Sequence, residues 1–402
     1  MKTYQTKAFV YHGSPGEVSR ETLPIEAGPT DLVIEVDMCA RCGTDKTIYR
    51  LGHTSVDPYA PVVLGHELVG RIVYVGKDVG TLKTGIGYRE GKQLSDEYLG
   101  FTLGERVTFQ SRIARYRNGL MLIPKPLANL SFQINGGFSH YMRVPETLIQ
   151  SGSVLRVPDS VSDEEACLVE PAACVLESIY ATPHQVSVDA HGRHEFRAGI
   201  LPGGNVCIIG SGTLSIIYAR LAILEGAGRV VMLARSQAKA TLLTEKLGSR
   251  VEIHRVPCVT ENASEETRTA EKTIVSELLD LTDGYLFDDV VAACNSPAAQ
   301  RLMLELYTPE GYAVGACFGG THRVTDTANV DNSHYRAAKT MGTSGCSTKC
   351  MEKILDMLAE DALDLSGLTS PRKFTLQDDP HEYFTTDAGG LKPVLYPTEA
   401  GS

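Results

Sequence analysis

The sequence predicts an α/β plus β protein: a mostly β domain joined to a second domain built on a doubly wound parallel sheet. Three observations carry this. Short β-like runs broken by Gly and Pro fill the first 170 or so residues. From about residue 203 strands alternate with helical stretches of ten or more residues. A Gly-rich turn links the first strand of that alternation to its helix. At 402 residues the chain is also too long for one ordinary core and suggests two domains, possibly three.

In the first part, "DLVIEVDMCA", "LVGRIVYVG", "GERVTFQ" and "GGFSHYMRV" each set β-branched or aromatic residues between turn signals and read as strands. In the second, "GNVCIIG" reads as a strand, "GTLSIIYARLAILEGAG" as a helix, "RVVMLAR" as a strand and "SQAKATLLTEKLG" as a helix. A charged helix near 264–282, the strand "FDDVVAAC", the helix "SPAAQRLMLELY" and the strand "GYAVGACFGG" continue the pattern. Such alternation predicts a parallel sheet covered by helices on both faces. The tail from about 340 holds the helix "STKCMEKILDMLAEDA" and is too small to fold alone, so it is expected to pack back on one of the domains.

Composition narrows the function. A hydrophobic share of 43% with 22% charged residues is that of an ordinary soluble globular chain. No run approaches the roughly 18 apolar residues of a membrane helix. The start, "MKTYQTKAFVYHGSPGEV", lacks the apolar core of a signal peptide, so a cytoplasmic protein is expected. A net charge of −11 with no basic block argues against nucleic acid or an anionic membrane as partner. The ten cysteines, several inside apolar runs such as "NVCIIG", do not form a disulfide framework in a large cytosolic chain.

The turn "CIIGSGTLSIIYARLA" places Gly210 and Gly212 between strand and helix. Gly210 permits the tight turn, and Gly212 lets the backbone approach a pyrophosphate at the helix N-terminus. Ser211, Thr213 and Leu214 complete the candidate cofactor-binding turn, and Ser215 stands where the G-x-G-x-x-G pattern has its third glycine. In an NAD site a carboxylate roughly 20 positions on holds the ribose 2′-hydroxyl. Here the next strand ends in Arg235 and Ser236, which suit a 2′-phosphate, so NADP is favoured over NAD. The plainer reading of Arg235 is that it opens a solvated helix.

"DMCARCGTD" sets Cys39 and Cys42 three apart, and "PVVLGHELVG" and "CLVEPAACVLES" supply His66, Glu67 and Glu170. Zn²⁺ accepts thiolate, imidazole and carboxylate, and a catalytic site keeps one position for water or substrate. Cys42, His66 and a carboxylate from Glu170 or Glu67 offer three ligands of those types. Singly, each has a plain structural reading.

Together these motifs resemble the zinc-dependent medium-chain alcohol and polyol dehydrogenases: "CGTD", "GHE", "EP" and the later Gly-rich turn occur in that family's order and approximate spacing. The resemblance implies a GroES-like β domain over 1–175, completed by 340–402, and a Rossmann dinucleotide-binding domain over 176–339. It implies that Cys42 and His66 bind catalytic zinc, that Glu170 is a third ligand, and that Glu67 ligates directly or exchanges with water. Thr44 matches the hydroxyl residue that bonds the substrate oxygen and begins proton release. Cys39 is then a bystander. The implied reaction interconverts a secondary alcohol and its ketone by hydride transfer, in a homodimer or homotetramer.

Three departures from the family pattern stand out. No cysteine follows "GERVTFQSRIARYRNG" before Cys167, so one zinc per chain and no structural zinc is expected. Thr47 stands where many members carry a proton-relay His. The segment "TPHQVSVDAHGRHEFRAGILPGGN" is long and looks like the branch containing L-sorbose-1-phosphate reductase, which implies a polyol, sugar or sugar-phosphate substrate. His184, His191 and His194 within it read as surface residues. Arg41, Lys46 and Arg50 lie near the ligand loop and could meet a phosphate. Two rival readings are a non-catalytic nucleotide-binding sensor and a zinc-free quinone or enone reductase on the same fold.

Overall fold

The computed structural model describes residues 1–82, 96–113, 116–117, 120–121, 128–256, 264–318 and 331–398. The chain forms two compact units, one of Met1–Ala173 with Gly345–Ser402 and one of Cys174–Ser344.

The first unit is built on a seven-stranded sheet around the strand Leu32–Ala40. That strand is flanked on both sides and read as nearly continuous apolar sequence for that reason: seven of its nine residues are buried. It runs antiparallel to Glu67–Val75, with Ala40 opposite Glu67, and antiparallel to Lys392–Tyr396, with Leu395 opposite Cys39. These registers bring the "CGTD" turn, the "GHE" segment and Lys392 to one end of the sheet. The C-terminal strand Lys392–Tyr396 also pairs in parallel with Thr369–Thr375, so the tail is part of the first sheet.

An aromatic cluster closes the core beside the site. Phe138 meets Tyr383 edge-on with centroids 5.1 Å apart, and Phe374 meets Tyr383 at 5.2 Å. Arg41 is buried against this cluster, and its guanidinium donates to the carbonyl oxygens of Tyr383 and Thr386. The expectation that Arg41 could meet a substrate phosphate is therefore corrected: its donors hold the C-terminal helix Pro380–Thr385. Lys46 is half-buried and Arg50 exposed.

The second unit holds a six-stranded parallel sheet. Its spatial order is Glu252–Arg255, Arg229–Ala234, Asn205–Ile209, Asp289–Ala292, Val314–Cys317 and Lys339–Gly342. This is the 3-2-1-4-5-6 order of a Rossmann sheet, which reverses beside its first strand and opens a crevice at the carboxyl ends there. Helices Thr213–Leu224, Gln237–Leu247, Glu265–Leu281 and Pro297–Glu305 fall where the alternating pattern placed them.

The long segment before the first Rossmann strand forms a hairpin, Pro183–Val188 with His194–Ala198. His191 and His194 are exposed, as expected. His184 is not: it is 3% exposed, and its Nε2 lies 2.9 Å from Oδ1 of Asp289 on the central strand. The base of the hairpin carries it into the sheet, where the carboxylate satisfies its ring. Residues 114–115, 118–119 and 122–127, most of the stretch read as a lobe without structural zinc, lie outside the described residues, as do Cys258, Gly319 and Gly320. Among the described residues no helix is long and apolar enough to cross a membrane.

Candidate active site

Cys42 is the N-cap of the helix Gly43–Leu51, and the "CGTD" spacing explains its placement. The N–H of Thr44 donates to Cys42 Sγ at 3.4 Å, while Asp45, three residues on, accepts from the Cys42 N–H at 2.9 Å. This reciprocal capping box fixes the turn and leaves the thiol half-buried at the helix start. Thr44 is exposed on the same turn. Thr47 Oγ1 donates to Gly43 O at 3.0 Å, so its hydroxyl serves the helix.

His66 follows Gly65, whose φ of +90° and tight surroundings suit only glycine: an added Cβ would lie 2.5 Å from Phe138 Cδ1 and 2.8 Å from Cys39 Sγ. Cys39 is fully buried in its strand, and burial raises its thiol well above the ordinary range. It is a packing residue.

Ligand atoms of Cys42, His66 and Glu67 all lie within 4.8 Å of one another. His66 Nδ1 is 3.0 Å from Ser131 Oγ and 3.7 Å from Asp45 Oδ1, which leaves Nε2 to ligate. Glu67 is 1% exposed, and both its carboxylate oxygens accept from Lys392 Nζ, itself 6% exposed. Glu170 stands outside that close group. It is buried, accepts from Ser111 Oγ at 3.0 Å and interacts electrostatically with His66.

Charge explains what this cluster wants. Burial pulls the His66 imidazole down, but Asp45, Cys42 and Glu170 together carry it well above its usual value. Burial raises Asp45 and Glu170, with His66 the largest opposing influence on each. Burial likewise pulls Lys392 down, and Glu67, Cys42 and Glu170 outweigh it, so the lysine stays charged. Asp45 Oδ1 is buried without a hydrogen-bond partner. A buried set of thiol, imidazole and carboxylates with surplus negative charge fits a divalent, borderline-soft cation such as zinc.

In the second unit Gly210 (φ +155°) ends the first strand, where an added Cβ would meet Ser215 Oγ at 2.5 Å and Ala293 O at 2.9 Å. Ser215 is fully buried, so it packs helix on strand as a third glycine would. Gly212 is the N-cap of Thr213–Leu224 with no side chain closing its amides. Ser211 and Leu214 are half-buried on the same turn and Thr213 is buried. Arg235 is exposed at the end of the next strand and lowers the burial-raised pKa of Cys294, at the adjacent strand end. Ser236 caps Gln237–Leu247, accepting from Lys239 N at 3.3 Å.

Ser131, Ser111, Asp45 and Lys392 were missed as site residues in the sequence. Asp45 had a signal, its place three residues after a cap. The other three reach the site only through tertiary pairing.

Comparison with known proteins agrees with this geometry. Residues 28–87 match the family described as the alcohol dehydrogenase GroES-like domain. The L-threonine 3-dehydrogenase of Chelativorans sp. (strain BNC1) is 29% identical over 311 residues, covering 77% of this chain and 76% of that one. The D-arabitol-phosphate dehydrogenase of Enterococcus avium is 25% identical over 289 residues, covering 71% and 67%. The structure of 2R,3R-butanediol dehydrogenase from Bacillus subtilis superposes with a TM-score of 0.71 at 19% identity, covering 98% of this chain and 100% of that one. The chain belongs to the zinc-dependent medium-chain alcohol and polyol dehydrogenase family. Its fold is accordingly a GroES-like domain with a Rossmann domain, and the family's chemistry is alcohol oxidoreduction with a nicotinamide cofactor and a small-molecule substrate.

Proposed function

We propose that this chain is a zinc-dependent dehydrogenase that interconverts a secondary alcohol, of the polyol, sugar or sugar-phosphate class, and its ketone with NADP in preference to NAD. The observation that carries the reading is the buried cluster of Cys42, His66 and Glu67 with Glu170 beside it. Cys42, His66 and Glu170 would hold one zinc ion per chain. Glu67, neutralised by Lys392, stands in reserve as a ligand that must leave its lysine to coordinate. Zinc held there supplies Lewis acidity, which lowers the pKa of an alcohol and polarises a carbonyl. A nicotinamide supplies the hydride acceptor.

The chain's own residues do the rest. Thr44, exposed beside Cys42, takes the proton from the substrate hydroxyl and passes it to solvent, because Thr47 offers no relay. Gly210 to Leu214 receive the pyrophosphate on the open helix N-terminus, and Arg235 with the Ser236 hydroxyl faces the 2′-phosphate. The secondary alcohol is supported by the named substrates of the relatives, and a phosphorylated polyol by one of them. A homodimer or homotetramer in the cytoplasm is the setting we infer.

The test is metal per chain in protein purified without added zinc or chelator, followed by a screen of polyols and ketose phosphates with NADP and NAD. One zinc per chain, lost in Cys42→Ser and His66→Ala while nucleotide binding survives, is expected. Full turnover in both variants would sink the assignment.

A further inference from the structure

We infer that Ser131 is the positioning residue that fixes the ring plane and tautomer of His66, an inference that rests on the metal-centre reading above. A ligating imidazole must present one bare nitrogen, and the partner of the other nitrogen decides which. At His66 two candidates face Nδ1. Asp45 Oδ1 is 3.7 Å away, beyond a hydrogen bond, whereas Ser131 Oγ is at 3.0 Å. With Nδ1–H donating to the serine, Nε2 is the bare nitrogen.

The backbone at Ser131 supports a dedicated role. Ser131 is fully buried and sits at φ +65°, in the left-handed region that non-glycine residues avoid. The loop forces it there. Ser131 N donates to Ile134 O at 2.7 Å, and the amides of Gln133 and Ile134 donate to Asn129 O at 3.1 and 3.2 Å. Glycine would meet the backbone demand without strain, yet only a hydroxyl reaches the ring. The same loop is tied to the partner of the carboxylate: Leu130 N donates to Ser111 O at 2.7 Å, and Ser111 Oγ donates to Glu170 Oε1 at 3.0 Å. Two serines on directly bonded segments thus hold His66 and Glu170.

The experiment compares wild type, Ser131→Gly and Ser131→Ala. Zinc affinity is read by competition with a chromophoric chelator, ligand geometry by the visible spectrum of the Co²⁺-loaded protein, and stability by thermal unfolding of the metal-free chain. Both variants should bind zinc roughly 10- to 100-fold more weakly and shift the Co²⁺ bands. Metal-free Ser131→Gly should unfold no lower than metal-free wild type, because glycine takes the positive φ freely. If Ser131→Ala fails to fold, Ser131→Gly alone decides. Wild-type zinc affinity and an unchanged Co²⁺ spectrum in Ser131→Gly would overturn the inference and leave the metal centre standing. A wild type that takes up no metal would overturn both.

Discussion

Asp37 shows how one buried carboxylate taxes this fold. Its Oδ2 is buried without a hydrogen bond, 3.4 Å from Arg71 Nε, and burial followed by the neighbouring Asp163 pushes its pKa up to about 6. A carboxyl raised on folding binds protons more tightly in the native state, so it weakens the fold at neutral pH. The weakness is relieved as pH falls from about 6 towards the unfolded value near 4. Asp37→Asn should therefore gain about 1 to 2 kcal/mol at pH 7, less than two full pK units would give because Arg71 shares the site. Urea unfolding at pH 7 and pH 4.5 checks it: the gain should shrink sharply at the lower pH, and an equal gain at both would contradict the account. At this scale the sequence disclosed the residues whose chemistry is unusual. Cys42, His66, Glu67 and Glu170 are metal-binding types at telling spacings, and the structure gathers the first three and sets the fourth beside them. Ser131 and Lys392 are common residues whose importance comes from what folding puts next to them, so nothing in their local sequence announced it.

Elements were legible where their period was long. The four Rossmann helices declared themselves by length and caps: Ser236 and Ser264 accept from amides three residues on. Short strands such as Glu252–Arg255 and Lys339–Gly342 were not read, because four residues carry too little pattern. The hairpin was seen only as extra length, and the burial of His184 depends on a partner 105 positions away. The two turns that carry function were readable through glycine, and they separate the two sites experimentally. Gly65→Ala drives a Cβ into Phe138 and Cys39 at positive φ, which should cost about 2 to 4 kcal/mol and abolish zinc retention. Gly210→Ala drives one into Ser215 and Ala293 O, which should abolish nucleotide binding while leaving zinc per chain at the wild-type level. Metal analysis and nucleotide fluorescence titration on both variants decide it. Loss of zinc in Gly210→Ala would show that the two turns do not act separately.

At the scale of the whole molecule, the decisive feature is that the chain's tail completes the sheet that its first residues begin. The separate texture of the two halves was visible in the sequence, but no pattern showed that Lys392–Tyr396 lies between Leu32–Ala40 and Thr369–Thr375. That strand brings pairing for the end of the central strand and the one cation bonded to Glu67. Truncation after Gly390 removes both. The central strand is left with an open edge, and Glu67 keeps a buried charge with no counter-ion, a loss of about 3 to 5 kcal/mol for the charge alone. The first unit should then lose zinc and become sensitive to protease, while Cys174–Ser344, whose core cluster draws on residues 207–313, should keep NADP binding. Lys392→Met separates the two causes, since it keeps the strand and removes only the charge. It should destabilise the first unit by the same 3 to 5 kcal/mol without exposing the strand edge, and Glu67→Gln in the same chain should recover most of that loss. Recovery in the double variant would assign the cost to the unpaired carboxylate, whereas equal instability in both would assign it to lost packing of the lysine stem.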